Sequence, residues 1–315
     1  MKKILLGVVA IIVLGAAAAG LYVWNAAKGL SPDMLEAEYA TSADRFLDID
    51  GARVRVRDEG PSDAPPVILL HGFIFSLESW DAWAGELSAD YRVIRYDLLG
   101  HGLTGPDPQQ RYAPAERAAF IGEVMDALDI DNAVVGGNSL GGLAAWRFAA
   151  TNPDRVDALI LVAPGGYSIN GVTDEPVEPP EPLKLFLRTA PEAGVEATLL
   201  GVFENDAAAS AERVTIARDM MRRRGNGDAF VQSIEEFTLP APDADLTNIA
   251  APTLILWGEE DALIPVAHGS QFEAAIPNAE LVVYDGVGHV PQEESPQRTA
   301  ADARAFLQQV LGAAH

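Results

Sequence analysis

The sequence contains no cysteine. That excludes disulfides, a thiol nucleophile, a cysteine-ligated zinc site and a lipid-modified cysteine, and it leaves the redox compartment open. Lysine is almost missing too, with four residues against eighteen arginines. The formal net charge is −24; the first 28 residues hold three lysines and no acid, so the remainder carries −27. No basic stripe interrupts this acidity. Charge alone therefore argues against nucleic acid and against an anionic lipid face as partners of the body. No Gly-Lys-Ser/Thr follows the glycines around 136–142, which argues against a phosphate loop. No internal repeat is present. Histidine is scarce: His71, His101, His268, His289 and His315. Any imidazole chemistry must come from these five.

What the N-terminus does have is a long apolar run. Met1-Lys2-Lys3 is followed by Ile4 to Trp24, 21 residues without a charge. At about 1.5 Å per residue such a helix spans the ~30 Å hydrocarbon core of a bilayer. Residues 1–28 are therefore read as a membrane anchor or a signal peptide. A retained anchor is favoured, with Lys2 and Lys3 inside and the body exported. The competing reading is cleavage near Ala17-Ala18-Ala19, which would release a secreted or periplasmic protein. Residues 29–44 read as a tether.

The body alternates strands and helices. Arg45–Asp50 and Ala52–Arg57 form a hairpin around Gly51. The apolar run after Pro65-Pro66, then Arg92–Asp97, Asp157–Val162, Pro252–Trp257 and Glu280–Tyr284, are further strands. Trp80–Ala89, Pro114–Leu128 and Gln297–Val310 are helical. This rhythm predicts an α/β fold, a mostly parallel sheet with helices on both faces. It breaks between 165 and 250, where helix-like segments at Leu185–Ala190, Ala193–Phe203 and Ala209–Arg224 carry no strand signal. The expected organisation is a core of 45–164 and 251–315, with 165–250 inserted as a helical cap. Arg222-Arg223-Arg224 is expected to be a solvated helix end.

Gly137-Asn138-Ser139-Leu140-Gly141 is the most informative stretch. It follows the apolar Ala133-Val134-Val135-Gly136 and opens the apolar segment Leu143–Ala150. A strand, a sharp turn carrying serine and a helix make a nucleophile elbow, with flanking glycines letting strand and helix approach. A serine hydroxyl needs a base to take its proton, and the base needs a carboxylate to orient it. His289 lies just past the apolar Leu281–Tyr284, on a loop at the C-terminal end of a strand, where open α/β sheets bind ligands. Asp261 follows the strand Thr253–Trp257 after a glycine turn that can carry it toward His289; Glu259 and Glu260 are the competing carboxylates. Acyl transfer also needs fixed donors for the developing oxyanion, and the N–H of Leu140, next to the serine at a helix start, is one.

The order Ser139, Asp261, His289 resembles the α/β-hydrolase superfamily. Two further stretches carry the resemblance, which covers about 45–312. Val67–Phe73 is similar to that family's third strand and His-Gly oxyanion loop. Tyr96–Thr104 is similar to its D-x-P-G-x-G-x-S stretch, with Leu99 in place of proline and Thr104 in place of serine. The resemblance implies an α/β-hydrolase fold with a helical cap, and a second oxyanion donor on the N–H of Phe73. His71 and His101 are then structural. It further implies a lipase- or carboxylesterase-like serine hydrolase acting on a small-molecule ester with an apolar acyl group, with no organic cofactor and no metal. Carbon–carbon bond hydrolysis of the meta-cleavage type, which Gly137-Asn138-Ser139 resembles, is the alternative, as is lactonase or perhydrolase chemistry on the same triad. Val290 stands where the meta-cleavage group usually has tryptophan.

Overall fold

The structure is a computed structural model that describes Gly20 and residues 27–312. Eight strands form one sheet: β1 (Asp44–Ile49), β2 (Ala52–Glu59), β3 (Pro66–Leu70), β4 (Arg92–Tyr96), β5 (Ala133–Asn138), β6 (Val156–Val162), β7 (Thr253–Gly258) and β8 (Ala279–Tyr284). Their spatial order is β1-β2-β4-β3-β5-β6-β7-β8. β2 pairs antiparallel with β1 and with β4, and every later pairing is parallel.

Strand β3 is apolar throughout because both faces of the sheet are covered. On β3, Val67 and Leu69 enter one core with Trp80, Trp83 and Phe306, while Ile68 and Leu70 enter the other with Phe120, Trp146 and Phe148. β7 divides in the same way, with Leu254 and Leu256 on one face and Ile255 and Trp257 on the other. This period of two is what a continuous hydrophobic run becomes once folded as a strand.

Two features of the topology place loops together. The chain leaves β3 outward to β4 and returns on the other side as β5, so β3 and β5 are neighbours at a switch point. That is where an open α/β sheet forms its crevice. Leu70 faces Gly137 in register, so the loops after β3 and β5 leave the sheet side by side. Gly258 likewise faces Tyr284, and the loops after β7 and β8 leave together.

Between β6 and β7 lie the helices Glu181–Thr189, Glu192–Val202, Ala211–Arg222, Asn226–Glu235 and Asp243–Leu246, with no named strand among them. The last two were not foreseen in the sequence. Leu187, Val195, Leu199, Phe203, Val214 and Phe230 pack with Ile74, Phe75 and Val290 from the sheet-top loops. Burying an apolar face of each helix on those loops is what holds the helices there.

Three expectations about the N-terminal half of the chain and the cap are corrected. The stretch 29–44, read as a tether, contains the helix Pro32–Tyr39. Its Leu35 is buried with Leu103 and Met220, and the Tyr39 hydroxyl donates to Asp219 at 2.8 Å. Pro at the first helical position and the single apolar anchor Leu35 suffice once the body supplies the other half of the contact. Arg223, read as part of a solvated end, is buried, and its neighbours bond to Leu30: Leu30 N–H donates to Arg222 O at 2.5 Å and Arg224 N–H to Leu30 O at 2.9 Å. The membrane-anchored, exported localisation is also withdrawn. Among the described residues no helix is long and apolar enough to cross a membrane. The run 4–24 that suggested it lies outside the described residues except for Gly20.

Candidate active site

Ser139 has φ 53° and ψ −113°, between β5 and the helix Leu140–Thr151. A non-glycine residue at positive φ is strained, and this one is held by its surroundings. Its N–H donates to Val162 O at 3.1 Å, and its carbonyl accepts from Leu143 N at 2.9 Å and Gly165 N at 3.0 Å. The flanking glycines are sterically required. A Cβ on Gly137 would lie 2.4 Å from the Gly141 carbonyl, and one on Gly141 would lie 2.4 Å from Leu70 O. The helix can therefore start this close to β3 only without those side chains. Ser139 is partly exposed in an otherwise buried turn.

The His71-Gly72-Phe73 turn stands against this elbow. A Cβ on Gly72 would meet Asn138 Oδ1 at 3.0 Å and Ser139 Cβ at 3.4 Å. The Gly72 carbonyl accepts from Phe75 N at 3.3 Å and lies 2.8 Å from His71 Nδ1. In a trans peptide C=O and N–H point in opposite directions. With the Gly72 carbonyl turned to His71, the N–H of Phe73 faces the other way. Leu140 is the first residue of its helix, so its N–H has no intrahelical acceptor.

His71 is fully buried. Its Nε2 accepts from Leu98 N at 2.9 Å, which fixes Nδ1 as the protonated nitrogen. Burial lowers its pKa to about 4, so the ring is neutral. His101 is buried too, bonds through Nδ1 to Leu99 O, and is pushed well below the usual imidazole range by burial. It packs on His71, Phe73 and Phe230. His268 lies in the helix Ala267–Ala275 against Tyr167, and His315 falls outside the described residues.

His289 and Asp261 meet across the two loops that follow β7 and β8. His289 Nδ1 lies 2.8 Å from Asp261 Oδ2. The other carboxylate oxygen, Oδ1, accepts from Leu263 N at 2.9 Å and Ile264 N at 2.8 Å. Gly258 makes this approach possible, since a Cβ there would lie 2.1 Å from Gly288 O and 2.2 Å from Val287 O. Of the competing carboxylates, Glu260 accepts from Val287 N at 3.0 Å, and Glu259 is exposed. Among the described residues, His289 Nε2 is buried without a hydrogen-bond partner.

Two residues that tie these loops together were missed in the sequence. The Asn138 amide donates to Val162 O at 3.0 Å and to His289 O at 3.1 Å, linking the elbow to the histidine loop. Its position beside Ser139 is plain in the sequence, but which carbonyls it reaches depends on the folded loops. Asp97 accepts from Leu77 N at 2.8 Å and Leu103 N at 2.7 Å, holding the loop after β3 to the loop after β4. Its buried charge faces Arg55, which also meets Asp44 at 2.6 Å and Glu78 at 2.7 Å.

Comparison with known proteins agrees with this architecture. Residues 65–296 match the family model described as alpha/beta hydrolase fold. A 2-hydroxy-6-oxononadienedioate/2-hydroxy-6-oxononatrienedioate hydrolase of Cupriavidus pinatubonensis is 31% identical over 269 residues, covering 82% of this chain and 89% of that protein. Among solved structures, a bacterial membrane phospholipase A superposes with a TM-score of 0.75 at 25% identity, covering 98% of this chain and 99% of its own. A meta-cleavage product hydrolase from Pseudomonas fluorescens superposes with a TM-score of 0.74 at 25% identity, covering 84% and 97%.

Proposed function

The chain belongs to the α/β hydrolase fold family, and on that premise we propose that it is a serine hydrolase cleaving carboxylic esters of apolar acyl groups. Ser139 Oγ attacks the acyl carbonyl carbon as its proton passes to His289 Nε2. Asp261 holds Nδ1–H, fixing the tautomer and stabilising the imidazolium. The amides of Phe73 and Leu140 receive the oxyanion. Collapse of the intermediate expels the alcohol, which takes the proton from His289. Water then attacks the acyl-enzyme by the same path and releases the acid. The observation that carries this reading is the His289–Asp261 pair at 2.8 Å with Nε2 left unpartnered, on a loop bonded to Asn138 next to the strained Ser139.

The environment supports an apolar, uncharged acyl group. Phe73, Ile74, Phe75, Phe203, Phe230 and Val290 gather where the cap helices meet the oxyanion loop. Arg213 lies among them, 4.6 Å from the Phe75 ring centroid. Both oxygens of Glu293 hold its Nε and Nη2, at 2.6 and 2.9 Å, so its charge is already paired, while its Nη1 is buried without a hydrogen-bond partner among the described residues.

A second reading, carbon–carbon bond hydrolysis of a dienoate, is favoured by the name of the Cupriavidus relative and by the run Gly137-Asn138-Ser139. A panel of p-nitrophenyl esters from acetyl to palmitoyl, run beside a 2-hydroxy-6-oxo-dienoate, separates the two. Ester turnover with an optimum at an apolar chain supports the first; turnover of the dienoate alone replaces it with the second.

A further inference from the structure

The four-residue helix Pro291–Glu294 begins two residues after His289, and its last residue reaches back. Glu294 Oε1 accepts from Gly288 N at 3.0 Å and Val290 N at 3.3 Å, the amides on either side of His289. Glu294 Oε2 accepts from Glu204 N at 2.8 Å and Asn205 N at 3.2 Å, just beyond the cap helix Glu192–Val202. One carboxylate thus takes four backbone amides, two from the histidine loop and two from the cap.

The amide it leaves over is also taken. His289 N donates to Val202 O at 2.8 Å, and His289 O accepts from Asn138 at 3.1 Å. Every backbone polar group of residues 288–290 named here is therefore fixed by Glu294, by the cap or by the elbow. The two backbones touch: a Cβ on Gly288 would lie 2.7 Å from Glu204 N and 2.8 Å from Val202 O. Only rotation about its side-chain bonds remains to the His289 ring, and Asp261 restrains that.

We propose that Glu294 is a positioning residue for His289, and that through its carboxylate the cap segment 202–205 and the histidine loop move as one body. The proposal rests on the reading of His289 as the base. Displacement of the cap by substrate then reaches the base directly, because the same carboxylate spans both. Linkage also requires the converse, that ordering His289 orders the cap segment. The effect of Glu294 acts through position, since it bonds only to backbone amides. Replacing it by glutamine keeps the volume but aims an NH2 at two amide N–H groups in either orientation of the side chain.

The test uses the full chain. Wild type is labelled with a fluorophosphonate, and amide hydrogen exchange is followed with and without the label. The expected result is slower exchange at Glu204 and Asn205 after labelling, by about fivefold or more, the low end of couplings between linked sites. In parallel, Glu294→Gln is expected to lower kcat by about 10²-fold, the scale of a 1 Å misplacement, with KM little changed. The low-field proton resonance of the His289–Asp261 hydrogen bond should shift or broaden in that variant. Labelling with unchanged exchange at 204 and 205 overturns the inference alone. So does a folded Glu294→Gln enzyme with wild-type kcat and an unmoved resonance. Failure of wild type to label counts against the Ser139–His289 reading, and the inference falls with it. The exchange measurement needs no variant, so it stands even where Glu294→Gln does not fold.

Discussion

Replacing Asp261 by asparagine tests the proposed triad at its most constrained bond. The structure dictates which way the new amide would turn. Two backbone N–H groups, of Leu263 and Ile264, point at Oδ1, while a single ring nitrogen faces Oδ2. Asparagine therefore keeps its oxygen on the two amides, since the reverse leaves two buried donors against an NH2, at roughly 1–3 kcal/mol each. The NH2 must then face His289 Nδ1, which becomes an acceptor and moves the ring proton to Nε2. In that tautomer the nitrogen meant to take the Ser139 proton is already protonated. The expected loss in kcat is about 10⁴-fold, roughly 5.5 kcal/mol of transition-state stabilisation. Steady-state hydrolysis of p-nitrophenyl butyrate measures it, with a thermal melt to verify the fold. Glu260→Gln is the companion variant; its carboxylate serves Val287 N, so its loss should cost far less rate. An Asp261→Asn enzyme within tenfold of wild type, or a Glu260→Gln enzyme that is the more damaged, refutes the assignment.

Three further outcomes follow from the same geometry. A fluorophosphonate probe should label wild type and not Ser139→Ala; gel fluorescence that persists in the variant removes Ser139 as nucleophile. Gly258→Ala forces a Cβ to within 2.2 Å of two carbonyl oxygens, which should cost about 1–3 kcal/mol in urea unfolding and separate the Asp261 and His289 loops. An alanine variant with unaltered stability and activity would show that the loops have room the structure denies. His71 should make stability pH-dependent. Its folded pKa, about 4, is depressed by burial below the ordinary 6.5, so between those values the unfolded chain binds more protons. Stability should fall as pH drops from 6.5 toward 4, by about 3 kcal/mol at most. Urea midpoints across that range should show a shallower slope for His71→Asn, and equal slopes would contradict a buried neutral ring.

The elements that could be read in the sequence are those governed by local rules. Strands β3, β5, β6 and β7 announce themselves as largely apolar runs bounded by turns, and the helix Pro114–Ala127 by its apolar spacing. The elbow at Ser139 is legible because its strand, turn and helix are contiguous and its glycines mark a close approach. The helix Pro32–Tyr39 was not legible. Its one buried anchor, Leu35, gains its value from Leu103 and Met220, far along the chain. The helices Asn226–Glu235 and Asp243–Leu246 were hidden by the turn-like Gly225-Asn226-Gly227 and the prolines at 240 and 242.

The sequence by itself determined an α/β sheet, a serine on a sharp turn, and a short list of histidines and carboxylates that could serve it. Periodicity and turn chemistry act over a few residues, so one chain read in order contains them. Only the tertiary structure decided which polar atoms meet. Asp261 faces His289 because β7 and β8 are neighbours and Gly258 has no side chain. Asn138 reaches a carbonyl 151 residues away, and Glu294 gathers amides from one segment 89–90 residues before it and from another only 4–6 residues before it. Such bonds depend on the relative placement of loop ends to within a fraction of an ångström. That placement comes from the packing of the whole sheet and of the helices between β6 and β7, and no local pattern encodes it.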